Sequence, residues 1–193
     1  ENLKNRLLAE TKFLRALFYF NLVRLYGDVP LVIEYQKNID ANDYAVPSSA
    51  STEVYAQIEK DLKEGAAALP PSYNSPDVGR ATAGAAKALL AKVYLTKASL
   101  PLKIQEHYQD AVSLAEEVLS AQDGGTGNYG YDLIENYAEV FLPAFKNGKE
   151  HIFSAQFKSN SLNQGNNEAP RAILSGIPGL RGNYAHMARY YKE

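Results

Sequence analysis

The 193-residue chain contains no cysteine, no tryptophan and a single methionine. Without cysteine it can form neither a disulfide nor a thiolate metal site, and it has no thiol nucleophile. No run of about 18 apolar residues occurs, so the sequence contains no candidate transmembrane segment. The 20 basic and 22 acidic side chains give a formal net charge of −2. This balance argues against a nucleic-acid partner and against binding to an anionic membrane through a basic surface.

The two ends of the chain carry few of the usual boundary signals. The first four residues lack the basic stretch and apolar core of a signal peptide, and they run directly into a helical pattern. The last six residues contain no helix stop signal. We therefore expect the sequence to be a piece of a longer protein, with any targeting or anchoring segment outside it.

Apolar residues at helical spacing predict four helices. The first is apolar on almost every side from residue 13 onwards, which predicts burial on most of its surface. Gly27 is expected to end this helix. Thr82 is expected to cap the third helix, and Ser51 or Thr52 the second. The predicted helices span residues 3–26, 52–69, 82–99 and 105–122.

Pairs of helices joined by turns indicate units similar to tetratricopeptide repeats. Leu90, Ala91 and Tyr94 follow the large, small, aromatic spacing of the first helix of such a repeat, and Tyr108 with Ala111 follows that of the second. The loop between them is too long for a strict repeat of about 34 residues. We therefore expect a mainly α fold, a tetratricopeptide-like helical-repeat scaffold with long loops.

Other segments are expected to be short or irregular. Residues 31–50 form a connection whose length is uncommon unless it is functional or includes a short strand. A shorter helix is predicted over residues 133–141, and a short strand or hairpin near residues 151–158. The chain is expected to be a single partial domain over residues 1–193, with a helical scaffold over 1–145 and a strand and loop-rich segment over 146–193.

Residues that support catalysis or bind metals are sparse. His107, His151 and His186 lie far apart, which favours surface or internally bonded histidines over a metal site. Residues 125–130 match the letters GxGxxG, but they follow a helix and do not join a strand to a helix. We interpret them as a flexible loop.

Acidic side chains do not form a recognisable catalytic pair. Glu116 with Glu117, and Asp61 with Glu64, are expected on solvated helix surfaces. A glycosidase pair would need deeper burial and a facing geometry. The sequence therefore gives no positive argument for an enzyme, a metal or a cofactor.

Tyrosine is the residue in excess, with 14 copies. A loop tyrosine offers an apolar ring face and a hydroxyl group, and sugar rings stack on such faces while amides bind their hydroxyl groups. Carbohydrate contact is one interpretation of the loop tyrosines, which include Tyr73; ordinary packing is the more frequent fate of any single ring. The candidate ligand-binding residues are Tyr35, Tyr44, Tyr129, Tyr131 and Asn163.

Residues 15–31, RALFYFNLVRLYGDVPL, resemble the core motif of the SusD/RagB family. Further blocks follow in the family's order, and the ordered set, which covers residues 5–158, is more specific than any single block. These blocks are VYAQI at 54–58, GRAT at 79–82 with GAAKALLAKVYL at 84–95, NY at 136–137, and KEHIF at 149–153.

The resemblance implies a tetratricopeptide-like scaffold in a glycan- or peptide-capturing lipoprotein on the outer surface of the outer membrane. Such proteins partner a SusC-like TonB-dependent transporter and deliver oligosaccharides to it without catalysis. In the motif, Gly27 is expected to end a helix, Pro30 to set a turn, and Arg15 and Arg24 to bind carbonyls or carboxylates within the scaffold. No ligand-binding residue carries over by position.

The main hypothesis is therefore a non-catalytic fragment of a surface nutrient-binding protein. The alternative is a general tetratricopeptide-type module that binds a protein or peptide, which a groove lined by Asn, Lys and Arg would favour. A hydrolase would need a buried carboxylate pair about 5–10 Å apart, for which the sequence has no motif.

Overall fold

Four helices form the scaffold in the computed structural model, which describes residues 2–34, 46–74, 76–119 and 129–156. Two short 3₁₀-helices follow them, at Tyr137–Phe141 and Pro143–Phe145. The helix positions agree closely with those predicted from periodicity, although residues 120–122 lie outside the described ranges. The helices are α1 (Asn2–Tyr26), α2 (Ser51–Ala68), α3 (Ala83–Ala98) and α4 (His107–Leu119).

Each helix packs against the next one along the chain, as in a helical repeat. Small residues at the start of α3 are buried and allow this close approach. Tyr94 of α3 is buried and stacks on His107 of α4, with ring centroids 4.7 Å apart. His107 also pairs with Asp110 at 2.7 Å, so it is internally bonded as expected. The largest fully buried side chains are Phe13, Phe20, Ile58, Leu62, Val54 and Val93.

Two of the predicted helix ends are confirmed. Gly27 has a φ of 72° and its N–H donates to the Val23 carbonyl at 3.0 Å, which closes α1. The Thr82 hydroxyl accepts a hydrogen bond from the Ala85 N–H at 3.1 Å at the start of α3. Both signals act within a few residues of the helix end, where sequence spacing is informative.

The predicted cap of α2 is wrong. Ala50 occupies the cap position and makes no side-chain cap bond. Instead, Asp28 accepts a hydrogen bond from the Ser51 N–H at 2.8 Å, from a position 23 residues earlier. A carboxylate here also complements the positive end of the helix dipole.

A short antiparallel hairpin lies in the long connection between α1 and α2. Strand β1 (Val29–Pro30) pairs with β2 (Ser48–Ser49), with Val29 opposite Ser49 and Pro30 opposite Ser48. This pairing brings the chain back beside the end of α1, where Asp28 reaches α2. Residues 35–45 lie outside the described residues.

The two motif arginines bind within the scaffold, as predicted. Arg15 makes two hydrogen bonds of 2.7 Å to Asp61, and this contact raises the pKa of the guanidinium despite partial burial. Asp61 also accepts from Gln57 at 2.9 Å and is 1% exposed. Arg24 binds the Asn21 side chain at 2.8 Å. The surface position expected for Asp61 is therefore wrong, because Arg15 compensates the charge of its buried carboxylate.

The outer face of α1 is more exposed than predicted. Leu14, Phe18, Leu22 and Leu25 are 40%, 63%, 40% and 75% exposed. Periodicity identifies an apolar face but does not show which element covers it, and within the described residues α2 is the main neighbour of α1.

Two predicted segments differ from the structure: the strand near residues 151–158 and the helix over residues 133–141. Residues 151–156 are irregular, and residues 157–158 lie outside the described ranges. Phe153 instead packs edge-on against Phe13 at 4.8 Å between ring centroids. The helix begins only at Tyr137, because the backbone N–H groups of Leu133 and Ile134 donate to the Asp132 and Glu150 carboxylates.

Candidate functional site

The first turn of α3 receives two tyrosine rings. The Tyr131 and Thr82 hydroxyl groups are 2.8 Å apart, and the rings of Tyr129 and Tyr131 stack with centroids 6.1 Å apart. A Cβ on Gly84 would lie 2.7 Å from both rings. Only glycine therefore allows the two rings to lie this close to the helix.

The two rings differ in their surroundings. Burial raises the pKa of the Tyr131 hydroxyl, while its contact with Thr82 acts in the opposite direction. The ammonium group of Lys87 lies 5.5 Å from the centroid of the Tyr129 ring and is paired with Glu117. The two tyrosine rings are therefore held by their contacts with the first turn of α3 and by the ion-paired Lys87 next to Tyr129.

A closed ring of charges fixes the segment that faces these tyrosines. Arg80 bridges Glu10 at 2.7 Å and Asp77 at 2.8 Å, and Arg6 contacts the same two carboxylates at 3.5 and 3.4 Å. The Tyr73 hydroxyl donates to Glu10 at 3.1 Å. Burial, followed by the nearby Glu10 carboxylate, raises the pKa of Tyr73 to about 12. These contacts anchor Tyr73, Asp77 and Arg80 to α1.

The anchored segment and the tyrosine pair enclose a cleft of about 270 Å³. Asn147, which adopts a φ of 58°, and Gly148 also line the cleft. Lys149 at the rim pairs with Asp132 at 2.9 Å. The aromatic and polar residues that line the cleft include Tyr73, Tyr129, Tyr131, Asn147, Lys149 and His151.

His151 lines this cleft and has one buried polar atom. Its Nδ1 is shielded from solvent and has no hydrogen-bond partner within the part of the chain that the structure describes. Because this nitrogen is shielded, a ligand in the cleft reaches it only if the His151 side chain moves.

A second cleft of about 650 Å³ adjoins the first. Ser72 and Tyr73 line both clefts. Arg6, Asn74 and Asp77 supply further polar groups to the second cleft. Tyr73 therefore stands at the junction of the two.

The structure brings two of the five predicted site residues together. Tyr129 and Tyr131 form one wall of the first cleft, whereas Tyr35, Tyr44 and Asn163 lie outside the described residues. The candidate set also omitted residues that line the clefts. The sequence shows Tyr73 only as one more loop tyrosine, and the position of Arg80 depends on its ion pair with Glu10, 70 residues away. The local signals for the charged ring are the i, i+4 spacing of Arg6 and Glu10 and the i, i+3 spacing of Asp77 and Arg80.

The arrangement is suited to binding. It combines ring faces, hydroxyl and amide groups, and cations that are already paired with carboxylates. Within residues 2–34, 46–74, 76–119 and 129–156, no group of three His, Cys, Asp or Glu side chains could hold a metal ion. None of the helices in these ranges is both long and apolar enough to cross a bilayer.

Residues 1–95 match a SusD-like family described as starch-binding and associating with the outer membrane. A SusD-like protein from Bacteroides ovatus is 30% identical over 160 residues, which cover 81% of this chain and 27% of that protein. A crystal structure of a SusD superfamily protein from Parabacteroides distasonis aligns with a TM-score of 0.76 and 34% identity, covering 95% of this chain and 36% of that one. A laminarin-binding SusD-like protein aligns with a TM-score of 0.66 and 38% identity, covering 79% of this chain and 31% of that one.

These matches confirm the mainly α, tetratricopeptide-like fold class predicted from the sequence. The chain spans between about a quarter and a little over a third of the length of these relatives. The motif at residues 15–31, which carried the resemblance, lies inside the matched region. The chain belongs to the SusD-like family.

Proposed function

We propose that this chain is part of a non-catalytic protein that binds oligosaccharides at the outer membrane. The observation that carries the proposal is the cleft walled by Tyr129 and Tyr131, in a chain whose family is described as starch-binding. Ring faces stack on the C–H faces of sugars, and the hydroxyl and amide groups around them bind sugar hydroxyls. The laminarin-binding relative supports a glucan as the first ligand to test.

Isothermal titration calorimetry of the full-length protein tests this proposal. Laminari-oligosaccharides, starch fragments and a panel of plant, host and microbial glycans would be titrated separately. We expect saturable binding to at least one neutral glycan without release of shorter products. Failure of every glycan in the panel would contradict the proposal, and time-dependent cleavage would contradict its non-catalytic part.

We further propose that the full-length protein is a lipid-anchored partner of a SusC-like TonB-dependent transporter. The outer-membrane association in the family description supports the location. Purification of the tagged full-length protein from native outer membranes is expected to yield the transporter in a stable ratio. Recovery of the protein alone under mild detergent conditions would contradict the partnership.

A protein-interaction module is the second candidate function. A groove of about 460 Å³ along α2 and α3 is lined by Lys60, Lys63 and Lys97, together with Glu59 and Glu64. Lys97 and Lys63 both contact Glu59, which reduces the positive charge available to a partner. Salt-sensitive binding of an acidic peptide to this groove, with no glycan binding, would favour this second function.

A further inference from the structure

The two clefts adjoin at Tyr73. They share Ser72 and Tyr73, and their volumes are about 270 and 650 Å³. Small-molecule sites commonly occupy about 300–1,000 Å³, so either cleft alone is close to this range and both together suit a longer ligand. The hydroxyl bond to Glu10 holds the Tyr73 ring in place between them.

Each formal cation that lines these clefts is paired with a carboxylate, although the buried Nε of Arg6 makes no hydrogen bond within the described residues. Arg6 and Arg80 share Glu10 and Asp77 in the closed ring described above, and Lys149 pairs with Asp132. Glu10 is only 12% exposed, so its ion pairs are partly shielded from water. An anionic ligand would have to displace one of these carboxylates before it met an uncompensated cation.

The remaining groups suit hydroxyl-rich, uncharged ligands. Tyr129 and Tyr131 provide ring surface in the first cleft, and Ser72 and Asn147 line it with hydroxyl and amide groups. Arg6 lies 5.5 Å from the centroid of the Tyr73 ring and occupies one of its faces. A sugar ring that stacks on Tyr73 would therefore use the opposite face.

We propose that the joined clefts bind a neutral oligosaccharide that crosses Tyr73, and that the paired charges exclude uronic-acid and sulfated glycans. This inference rests on the proposed oligosaccharide-binding function. It specifies the ligand class and the groove that holds the ligand.

The first test compares neutral and anionic glycans of matched length on the full-length protein. Laminari-oligosaccharides and oligogalacturonates would be titrated at about 50 and about 500 mM salt. We expect the neutral ligand to bind with an affinity that changes less than about twofold with salt, and the anionic ligand to bind at least about tenfold more weakly. Tighter, salt-sensitive binding of the anionic ligand would overturn the inference.

The second test removes the carboxylate that pairs with Lys149, so that this cation loses its partner and no new cation is introduced. Asp132→Asn removes the partner of Lys149, and Glu116→Gln makes the same charge change on an exposed part of α4 as a control. We expect Asp132→Asn, but not the control, to gain about fivefold or more in affinity for the anionic ligand. Equal behaviour of the two variants would show that paired charges do not set the selectivity.

The third test locates the ligand. Tyr73→Ala is expected to weaken neutral binding by about tenfold or more, and Tyr73→Phe to recover most of that loss by restoring the ring. Circular dichroism would establish that both variants are folded. If the wild-type protein binds neutral glycan and Tyr73→Ala binds it equally well, this groove is wrong while the proposed function stands. If the wild-type protein binds no glycan, the proposed function itself fails.

Discussion

Gly84, in the first turn of α3, is the position against which the rings of Tyr129 and Tyr131 pack. A side chain at this position would meet ring atoms of Tyr129 and Tyr131 at 2.7 Å, so the absence of a Cβ sets how closely the rings approach the helix. Gly65 on α2 offers a direct contrast, since its nearest neighbour would be the Ala9 carbonyl at 3.7 Å. The two glycines therefore have different structural roles despite both lying in helices.

Gly84→Ala is expected to destabilise the protein by about 1–3 kcal/mol, because the added methyl group forces both rings to move. Gly65→Ala is the matched control and is expected to be neutral or to stabilise by up to about 1 kcal/mol, since alanine favours helix. Urea unfolding followed by far-ultraviolet circular dichroism measures both. Equal effects of the two substitutions would contradict the close packing at Gly84.

Tyr73 supplies a pH-dependent contribution to stability. Its pKa is raised to about 12 in the folded protein, so the folded state keeps its proton while the unfolded chain loses it near pH 10. The stabilisation is complete below about pH 10 and is lost as pH rises through about 12. Partial exposure of the ring reduces the size of this effect.

We expect the wild-type protein to exceed Tyr73→Phe in stability at about pH 9, through the bond to Glu10, and the difference to narrow by about pH 12. Urea midpoints of the two proteins at several pH values measure this directly. A difference that stays constant across the range would show that Tyr73 does not titrate with a raised pKa.

At the scale of the helices and strands, the sequence predicts the features that depend on residues close together in the chain. Periodicity locates the four helices, and Gly27 and Thr82 mark two of their ends because their partners lie within four residues. The cap of α2 comes from Asp28, 23 residues away, and no local pattern shows it. The predicted strand near residues 151–158 failed for residues 151–156, because an alternating apolar pattern does not reveal that Phe153 packs on α1.

Asp28→Ala is expected to cost about 1 kcal/mol through loss of the cap on α2. Asp28→Asn keeps an acceptor oxygen and should retain most of the stability, losing only the charge that complements the helix dipole. Thermal unfolding of the three proteins distinguishes these effects. A loss of the same size in both variants would indicate that charge, and not the hydrogen bond, caps the helix.

At the scale of the whole molecule, the ordered family motifs predict the fold class, whereas the clefts depend on contacts that link distant segments. Arg80 meets Glu10 from 70 residues away, and Tyr131 meets Thr82 from 49 residues away. The compact unit defined by contacts extends over Glu1–Ser154. The scaffold boundary at residue 145 remains a prediction, and the contact of Phe153 with Phe13 provides a way to test it.

A chain ended after residue 154 is expected to be about 3 kcal/mol more stable than one ended after residue 145, because only the longer chain retains Phe153 against the core. Urea unfolding of both truncated chains gives the comparison. The variant Phe153→Ala in the 154-residue chain is expected to lose most of this advantage. Equal stability of the two truncated chains would place the end of the scaffold at residue 145.

The close packing at Gly84 also limits how the cleft can diversify among related sequences. A side chain at position 84 and large rings at 129 and 131 exclude one another in this geometry, so these three positions are expected to change together. A relative with alanine at 84 should carry a smaller residue at one of the ring positions. We therefore expect positions 84, 129 and 131 to covary in an alignment of related sequences.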